Sequence, residues 1–171
     1  MYNQIIERMG FEKNKRIVKT MNNQRVTAVV GGKKCYFRSI FEFRWARYLQ
    51  FLKESGIIKD WRYESDVFNF IGETTSPVMY RPDFFILENN CKGYYQECKG
   101  YHDGQTNTKL KRMQKHFPEI QIELVLMRFE SKGKGAARRQ IASKYARRII
   151  DASIIFSQTK GVVNYDVPLE C

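Results

Sequence analysis

The chain has few of the residues that build zinc sites, disulfide scaffolds and membrane spans. Its 171 residues include four cysteines and two histidines, with no C-x-x-C pair and no histidine spacing that suits zinc. No apolar run reaches the length of a membrane span, and the short run at residues 122–127 is typical of a buried strand. Nothing at the N-terminus resembles a secretory signal. We therefore expect a cytoplasmic protein with free thiols and no membrane contact.

Acidic residues are outnumbered by basic ones. The 30 Lys and Arg residues oppose 18 Asp and Glu residues, which gives a net charge of +12. Such an excess favours a polyanionic partner, most simply nucleic acid, through the release of condensed counterions. An ordinary solvated basic surface, or a structural protein that binds ribosomal RNA, would have the same composition. The 43% of hydrophobic residues, with 12 Phe and 10 Tyr, excludes a disordered chain.

The length and the local patterns predict one α/β domain, with a mixed central sheet flanked by helices. We divide it into a basic N-terminal arm (residues 1–24), a core (residues 25–127) and a basic C-terminal helical appendage (residues 128–171). The arm either lies along a phosphate backbone or is a loosely ordered terminus. Within the appendage, residues 136–150 predict a basic helix that suits contact with a phosphate backbone.

The first helix of the core begins at a capping signal. Ser39 is followed three residues later by Glu42, which is the capping-box pattern. Gly56 suits the C-terminal left-handed position that ends a helix. Apolar residues recur between these signals at helical spacing and should face the core. They are Phe41, Trp45, Tyr48, Leu49 and Leu52.

A β-hairpin is predicted in the middle of the chain. Residues 84–87 and 94–99 are rich in residues that favour strands, and residues 88–93 supply turn residues between them. Two antiparallel strands are the simplest interpretation. The thiols of Cys91 and Cys98 would then lie on neighbouring strands, so a disulfide between them is the alternative to free thiols.

The predicted hairpin brings three chemically active side chains together. Folding about the turn places Asp83 level with Glu97 and Lys99. Because side chains alternate along a strand, Glu97 and Lys99 share one face while Gln96 and Cys98 take the other. Two carboxylates and an amine therefore converge at one end of the sheet. A hard divalent cation such as Mg²⁺ needs an oxygen-rich, partly hydrated site of this kind.

A helix over residues 106–116 and a strand over residues 120–127 complete the predicted core. On the helix, Leu110 and Met113 should face inward, and the basic residues outward. The loop before the helix contains His102, for which we expect a solvent-facing position. Glu64 is a further acid near the predicted site, and a lone glutamate on a strand is more often a surface residue.

The residues Pro82-Asp83 and Glu97-x-Lys99 resemble the motif of the PD-(D/E)XK nuclease superfamily. The stretch from residue 37 to about residue 117 is similar to small phage-encoded members, and Glu42 resembles the acid that they often carry upstream. The resemblance implies a metal-dependent endonuclease with roles in phage recombination, homing or host-DNA attack. Asp83, Glu97 and the carbonyl of Cys98 would hold Mg²⁺, with Mn²⁺ as an expected substitute. Lys99 would orient the attacking water, and Glu42 would either serve the site or only cap its helix.

The implied substrate is double-stranded or branched DNA, and a homodimer is compatible with one site that cuts one strand. The predicted DNA contacts are Arg38, Arg81, Lys109, Lys111, Arg112, Arg138, Arg139 and Arg147. The alternative function is a non-catalytic nucleic-acid-binding protein on a nuclease-like fold.

Overall fold

The computed structural model describes residues 24–163. Almost all of the predicted N-terminal arm lies outside this range. The described chain forms one α/β domain in which a five-stranded mixed sheet is flanked by helices, as predicted. The strands are β1 (Val26–Val30), β2 (Lys33–Phe37), β3 (Asp60–Tyr63), β4 (Phe68–Asn69), β5 (Met79–Tyr80), β6 (Phe84–Leu87), β7 (Gly93–Lys99), β8 (Ile122–Leu126) and β9 (Arg148–Asp151). The helices are α1 (Ile40–Glu54), α2 (Gly104–His116), α3 (Gly133–Ala142), α4 (Ala152–Gln158) and α5 (Lys160–Val163).

The central sheet has the strand order β3-β6-β7-β8-β9. Strands β3, β6 and β7 pair antiparallel, whereas β7, β8 and β9 pair parallel. The predicted hairpin is β6 and β7, with Phe84 opposite Gln96. One position further along the same register, Asp83 lies opposite Glu97. The carboxyl ends of the three parallel strands lie at this same edge, because parallel strands all run in one direction.

Two apolar clusters cover the two faces of the sheet. On one face, α1 packs its apolar side through Trp45, Leu49 and neighbouring buried residues. On the other face, Leu110 and Met113 of α2 pack against Leu124 of β8. The predicted capping box begins α1, because the Ser39 side chain accepts a hydrogen bond from the amide of Glu42. The sequence patterns therefore predicted both helices and their inward faces.

The hairpin of β1 and β2 packs against α1. Its turn uses Gly31 and Gly32, whose φ angles of 58° and 77° are ones that favour glycine. A Cβ atom on Gly31 would lie only 2.2 Å from Oε1 of Gln50. The turn therefore favours glycine for its backbone angles, and a larger residue at position 31 would also displace the end of the Gln50 side chain.

The helix predicted over residues 136–150 is wrong in its second half. Helix α3 ends at Ala142, and Arg148–Asp151 forms β9, which adds a fifth strand to the sheet beside β8. The physical reason lies in two consecutive isoleucines. Ile149 packs with one apolar cluster and Ile150 with the other. A strand buries successive side chains on opposite faces, whereas a helix would bury only one stripe.

Cys35, Cys91 and Cys98 are free thiols, so the alternative disulfide between Cys91 and Cys98 is not present. Within residues 24–163, no helix combines the length and the apolar character that crossing a membrane requires.

Candidate active site

The predicted carboxylates and lysine meet at one edge of the sheet. Asp83 precedes β6, and Glu97 and Lys99 lie at the end of β7. The two carboxylate residues are buried, with 8% of Asp83 and 2% of Glu97 exposed. Nζ of Lys99 lies 2.7 Å from Oε1 of Glu97. The structure therefore brings together the three residues that the sequence singled out.

Backbone and side-chain donors hold both carboxylates in place. Oδ2 of Asp83 accepts a hydrogen bond of 2.7 Å from the amide of Cys98. Oε2 of Glu97 accepts a hydrogen bond of 3.0 Å from the hydroxyl of Tyr80, a fully buried residue of β5. Sequence reasoning did not find Tyr80, because a tyrosine in a short strand is usually an ordinary core residue.

A second lysine faces the site from α2. Nζ of Lys109 lies 4.0 Å from Oε1 of Glu97 and 5.3 Å from the centre of the Tyr80 ring. The start of α2 is fixed by Asp103, whose carboxylate accepts a hydrogen bond of 2.8 Å from the amide of Thr106. This N-cap sets the position of the helix directly after the site strand. Lys109 is therefore a predicted DNA contact that the structure places beside Glu97.

The electrostatics of the site reflect an excess of buried negative charge. Burial, followed by the charges of Glu97 and Glu42, raises the pKa of Asp83 well above its usual range. Burial alone would lower the pKa of Lys99, but the negative charges of Glu97 and Asp83 outweigh it and raise that pKa. Lys99 is therefore held as a cation beside the carboxylates.

Glu42 lies at the start of α1, where its carboxylate is held by several hydrogen bonds. Its carboxylate accepts hydrogen bonds from the amide of Arg38 at 3.0 Å and from the hydroxyl of Tyr63 at 2.6 Å. The reciprocal bond of the capping box thus reaches one residue before Ser39 rather than Ser39 itself. After burial and the charge of Glu97, the charge of Glu42 also contributes to the raised pKa of Asp83. Glu42 therefore caps α1 and lies within electrostatic reach of the site.

Glu64 is bound by arginines. Its carboxylate lies 2.8 Å from Nε of Arg38 and 3.7 Å from Nη1 of Arg81. Its amide donates to the backbone carbonyl of Asp83, so it stands beside the site strand. Both arginines are predicted DNA contacts and are exposed to solvent. They lie at the same edge of the sheet as Asp83.

Arg112 does not face solvent as the sequence predicted. It is buried, and its guanidinium donates hydrogen bonds to the carbonyls of Thr75 and Pro77 and pairs with Glu73. The long loop between β4 and β5 leaves carbonyls without strand partners, and a guanidinium with five donors satisfies several at once. The adjacent Lys111 is exposed, as predicted. Arg112 is therefore a structural residue.

The remaining predicted DNA contacts lie at two different ends of the sheet. Arg138 and Arg139 of α3 stack on Tyr101 and Phe129, in loops at the edge that holds Lys99. Arg147 precedes β9 and therefore lies at the opposite edge, where it pairs with Glu88. The structure thus separates Arg147 from the candidate site.

His102 is buried, although a solvent-facing position was expected. Only 4% of the residue is exposed, and Nε2 lies 2.8 Å from Oδ1 of Asn107. Asn107 in turn donates to the carbonyl of Arg138. The contact with α3 covers this loop, which sequence reasoning could not foresee. Burial lowers the pKa of His102, so the imidazole is neutral around pH 7.

The donor set fits a divalent cation. Among residues 24–163, no three His, Cys, Asp or Glu side chains are arranged to hold a metal ion by themselves. Mg²⁺ is commonly held by one or two carboxylates, with water and substrate phosphates completing the shell. The N–H and C=O of one strand residue point to the same side of the strand. Since the Cys98 amide points to Asp83, its carbonyl faces that side too. The buried negative charge around Asp83 and Glu97 is what such a cation would offset.

The comparisons with known proteins add no relative. No protein-family model, no curated protein and no solved structure matches this chain. The function proposed for this chain therefore rests on the geometry and electrostatics of its described residues.

Proposed function

We propose that the chain is a metal-dependent endonuclease that hydrolyses DNA phosphodiester bonds in the cytoplasm, in the manner of the PD-(D/E)XK nucleases. The observation that carries this proposal is the convergence of Asp83, Glu97 and Lys99 at one buried edge of the sheet. Basic residues surround that edge, and the net charge of +12 suits a polyanionic substrate. Phage recombination, homing and host-DNA attack are the roles compatible with this activity.

Each group of the site has a task in phosphodiester hydrolysis. Asp83, Glu97 and the Cys98 carbonyl would hold Mg²⁺ or Mn²⁺, which supplies polarisation of a phosphoryl oxygen and a lowered pKa for a water. Lys99, held beside Glu97, would orient the attacking water or stabilise the negative charge that develops on the phosphate. Lys109 would add a second positive charge from α2. Arg38 and Arg81 would hold the DNA backbone beside the site.

A non-catalytic nucleic-acid-binding protein is the second candidate. The observation in its favour is that Lys99 and Lys109 both lie within 4.0 Å of Oε1 of Glu97. Two ammonium groups on one carboxylate oxygen offset its charge without a metal. Such a protein would retard DNA and would not cut it.

Cleavage of supercoiled, linear and branched DNA, with and without Mg²⁺, separates the two candidates. We expect cleavage that depends on the metal and is lost in Lys99→Ala. Lys92→Ala is the matched control, because Lys92 is exposed in the hairpin turn at the opposite end of β7. Retardation of every DNA without cleavage would overturn the nuclease and leave the binding protein.

A further inference from the structure

Two exposed aromatic rings lie at the edge of the sheet that carries Lys99. Tyr101 follows β7 by two residues, and Phe129 lies in the loop after β8. The two strands are parallel, so both loops leave the sheet at the same edge. Tyr101 is 52% exposed and Phe129 is 42% exposed. The Cα atoms of Lys99 and Tyr101 are at most about 7 Å apart, because only Gly100 lies between them.

An arginine of α3 lies over each of the two rings. Cζ of Arg138 lies 5.5 Å from the centre of the Tyr101 ring, and Cζ of Arg139 lies 4.0 Å from that of Phe129. A cation over an aromatic face is attracted by the ring quadrupole and adds positive charge beside the ring. The exposed part of each ring remains open to a further stacking partner. This combination of aromatic surface and fixed positive charge complements nucleobases joined by phosphates.

Hydrogen bonds fix this region to the active-site strand. Arg138 donates to the hydroxyl of Tyr101 at 2.7 Å and to the carbonyl of His102 at 3.1 Å. Arg139 donates to the carbonyl of Glu130, next to Phe129. Side chains held in this way lose little further freedom on binding a ligand. The two rings are therefore presented in a fixed position relative to Lys99.

We propose that Tyr101 and Phe129 form a stacking platform for unpaired bases, so that the substrate has a single-stranded segment beside the phosphate that is cut. The inference deepens the proposed function and rests on it, since a segment beside the cleaved phosphate requires that the site cleaves DNA. Bases inside a blunt duplex are stacked on one another and present no free face to a ring. Unpaired bases of a tail, gap or branch do, and base–aromatic stacking tolerates any sequence.

Binding without metal tests the platform apart from cleavage. The probes are a fluorescent single strand, a duplex with a single-stranded tail and a blunt duplex, each titrated with the full chain in EDTA. The double variant Tyr101→Leu, Phe129→Leu should bind the first two probes about tenfold or more weakly, and the blunt duplex unchanged. Tyr36→Leu is the matched control, since Tyr36 is 54% exposed on the separate hairpin of β1 and β2. It should alter none of the three affinities.

Equal weakening for all three probes, or no weakening for any, would overturn the platform. A second variant keeps the test decisive if the double variant does not fold. The fluorescence of the indole introduced by Tyr101→Trp should be quenched by the tailed duplex and not by the blunt one. The native Trp45 and Trp61 are buried. Quenching that is absent, or the same for both, contradicts the proposal.

The binding and cleavage experiments can contradict either proposal without contradicting the other. Ring-dependent binding of unpaired DNA by a chain that cuts no DNA would end the nuclease proposal and leave the platform as a binding site. Metal-dependent cleavage with ring-independent binding would end the platform and leave the nuclease.

Discussion

The hydroxyl of Tyr80 donates a hydrogen bond of 3.0 Å to Oε2 of Glu97, and both residues are buried. The other oxygen of Glu97 faces Lys99 and Lys109. A core tyrosine thus fixes the orientation of one carboxylate of the predicted metal site. Burial, followed by the charge of Glu97, raises the pKa of Tyr80 well above its usual range, so the hydroxyl stays a donor.

We expect Tyr80→Phe to destabilise the fold by about 2 kcal/mol, because it leaves a buried charged acceptor with one bond fewer. It should also raise the Mg²⁺ concentration needed for half-maximal cleavage. Urea unfolding and a Mg²⁺ titration measure the two effects. The matched control is Tyr145→Phe, because the Tyr145 hydroxyl makes no hydrogen bond within residues 24–163. This variant should change stability by less than about 0.5 kcal/mol. Equal effects of both variants would contradict a role for the hydroxyl.

Mg²⁺ binding should be detectable as a rise in the melting temperature of the protein. In EDTA, Asp83→Asn should be at least as stable as the wild type, because it removes a buried negative charge that faces Glu97. Added Mg²⁺ should raise the melting temperature of the wild type, since a ligand that binds only the folded state stabilises it. The variant should show no such rise, and it should not cleave DNA. A rise of the same size in both proteins would place the metal elsewhere.

Two substitutions can distinguish the role of Glu42 at the start of α1 from the role of its negative charge near Asp83. Glu42→Gln retains a side chain that suits the third helical position but removes the negative charge near Asp83. We expect at least about a tenfold loss of cleavage with only a small change in stability. Ser39→Ala, which removes the cap oxygen, should instead cost about 1 kcal/mol of stability. If Glu42→Gln retains full activity, Glu42 serves only to begin α1.

Arg112 and Lys111 are neighbours on α2 with opposite predicted effects. Arg112→Ala should destabilise the fold by about 3 kcal/mol, because it leaves the carbonyls of Thr75 and Pro77 without donors. Lys111→Ala should leave stability unchanged and weaken DNA binding, with a salt slope reduced by about 1. Denaturant unfolding and binding at several salt concentrations measure both. A Lys111→Ala protein with unaltered salt dependence would remove that residue from the DNA surface.

His102 should make stability fall in acid. Burial lowers its pKa in the folded protein below the unfolded value, so the unfolded state binds the proton more readily. Its contribution is therefore present above the unfolded pKa and is lost as the pH falls through the folded pKa. Between about pH 7 and pH 5, the free energy of unfolding should fall more steeply for the wild type than for His102→Gln. Parallel curves would contradict this.

Local patterns predicted the parts of the site that depend on neighbouring residues in the chain. The turn between β6 and β7 and the alternation along β7 place Asp83, Glu97 and Lys99 together, because a short hairpin leaves few other registers. The signal from Ser39 to Glu42 likewise marked the start of α1, since a helix cap involves residues only three positions apart. These predictions needed no knowledge of the rest of the chain.

The roles of residues that have distant partners depend on long-range packing, which local sequence patterns do not contain. The sequence pattern predicted Arg112 as an exposed helix residue, but the loop that carries Thr75 and Pro77 covers it. His102 is buried by a contact with α3. Arg148–Asp151 forms a strand because it pairs with β8, where apolar clusters cover both faces of the sheet. Helical or strand periodicity in a sequence gives the side of an element that is apolar, but not what packs against it. Local sequence patterns therefore predicted the geometry of the site, whereas long-range packing sets which charged side chains are buried and which are exposed.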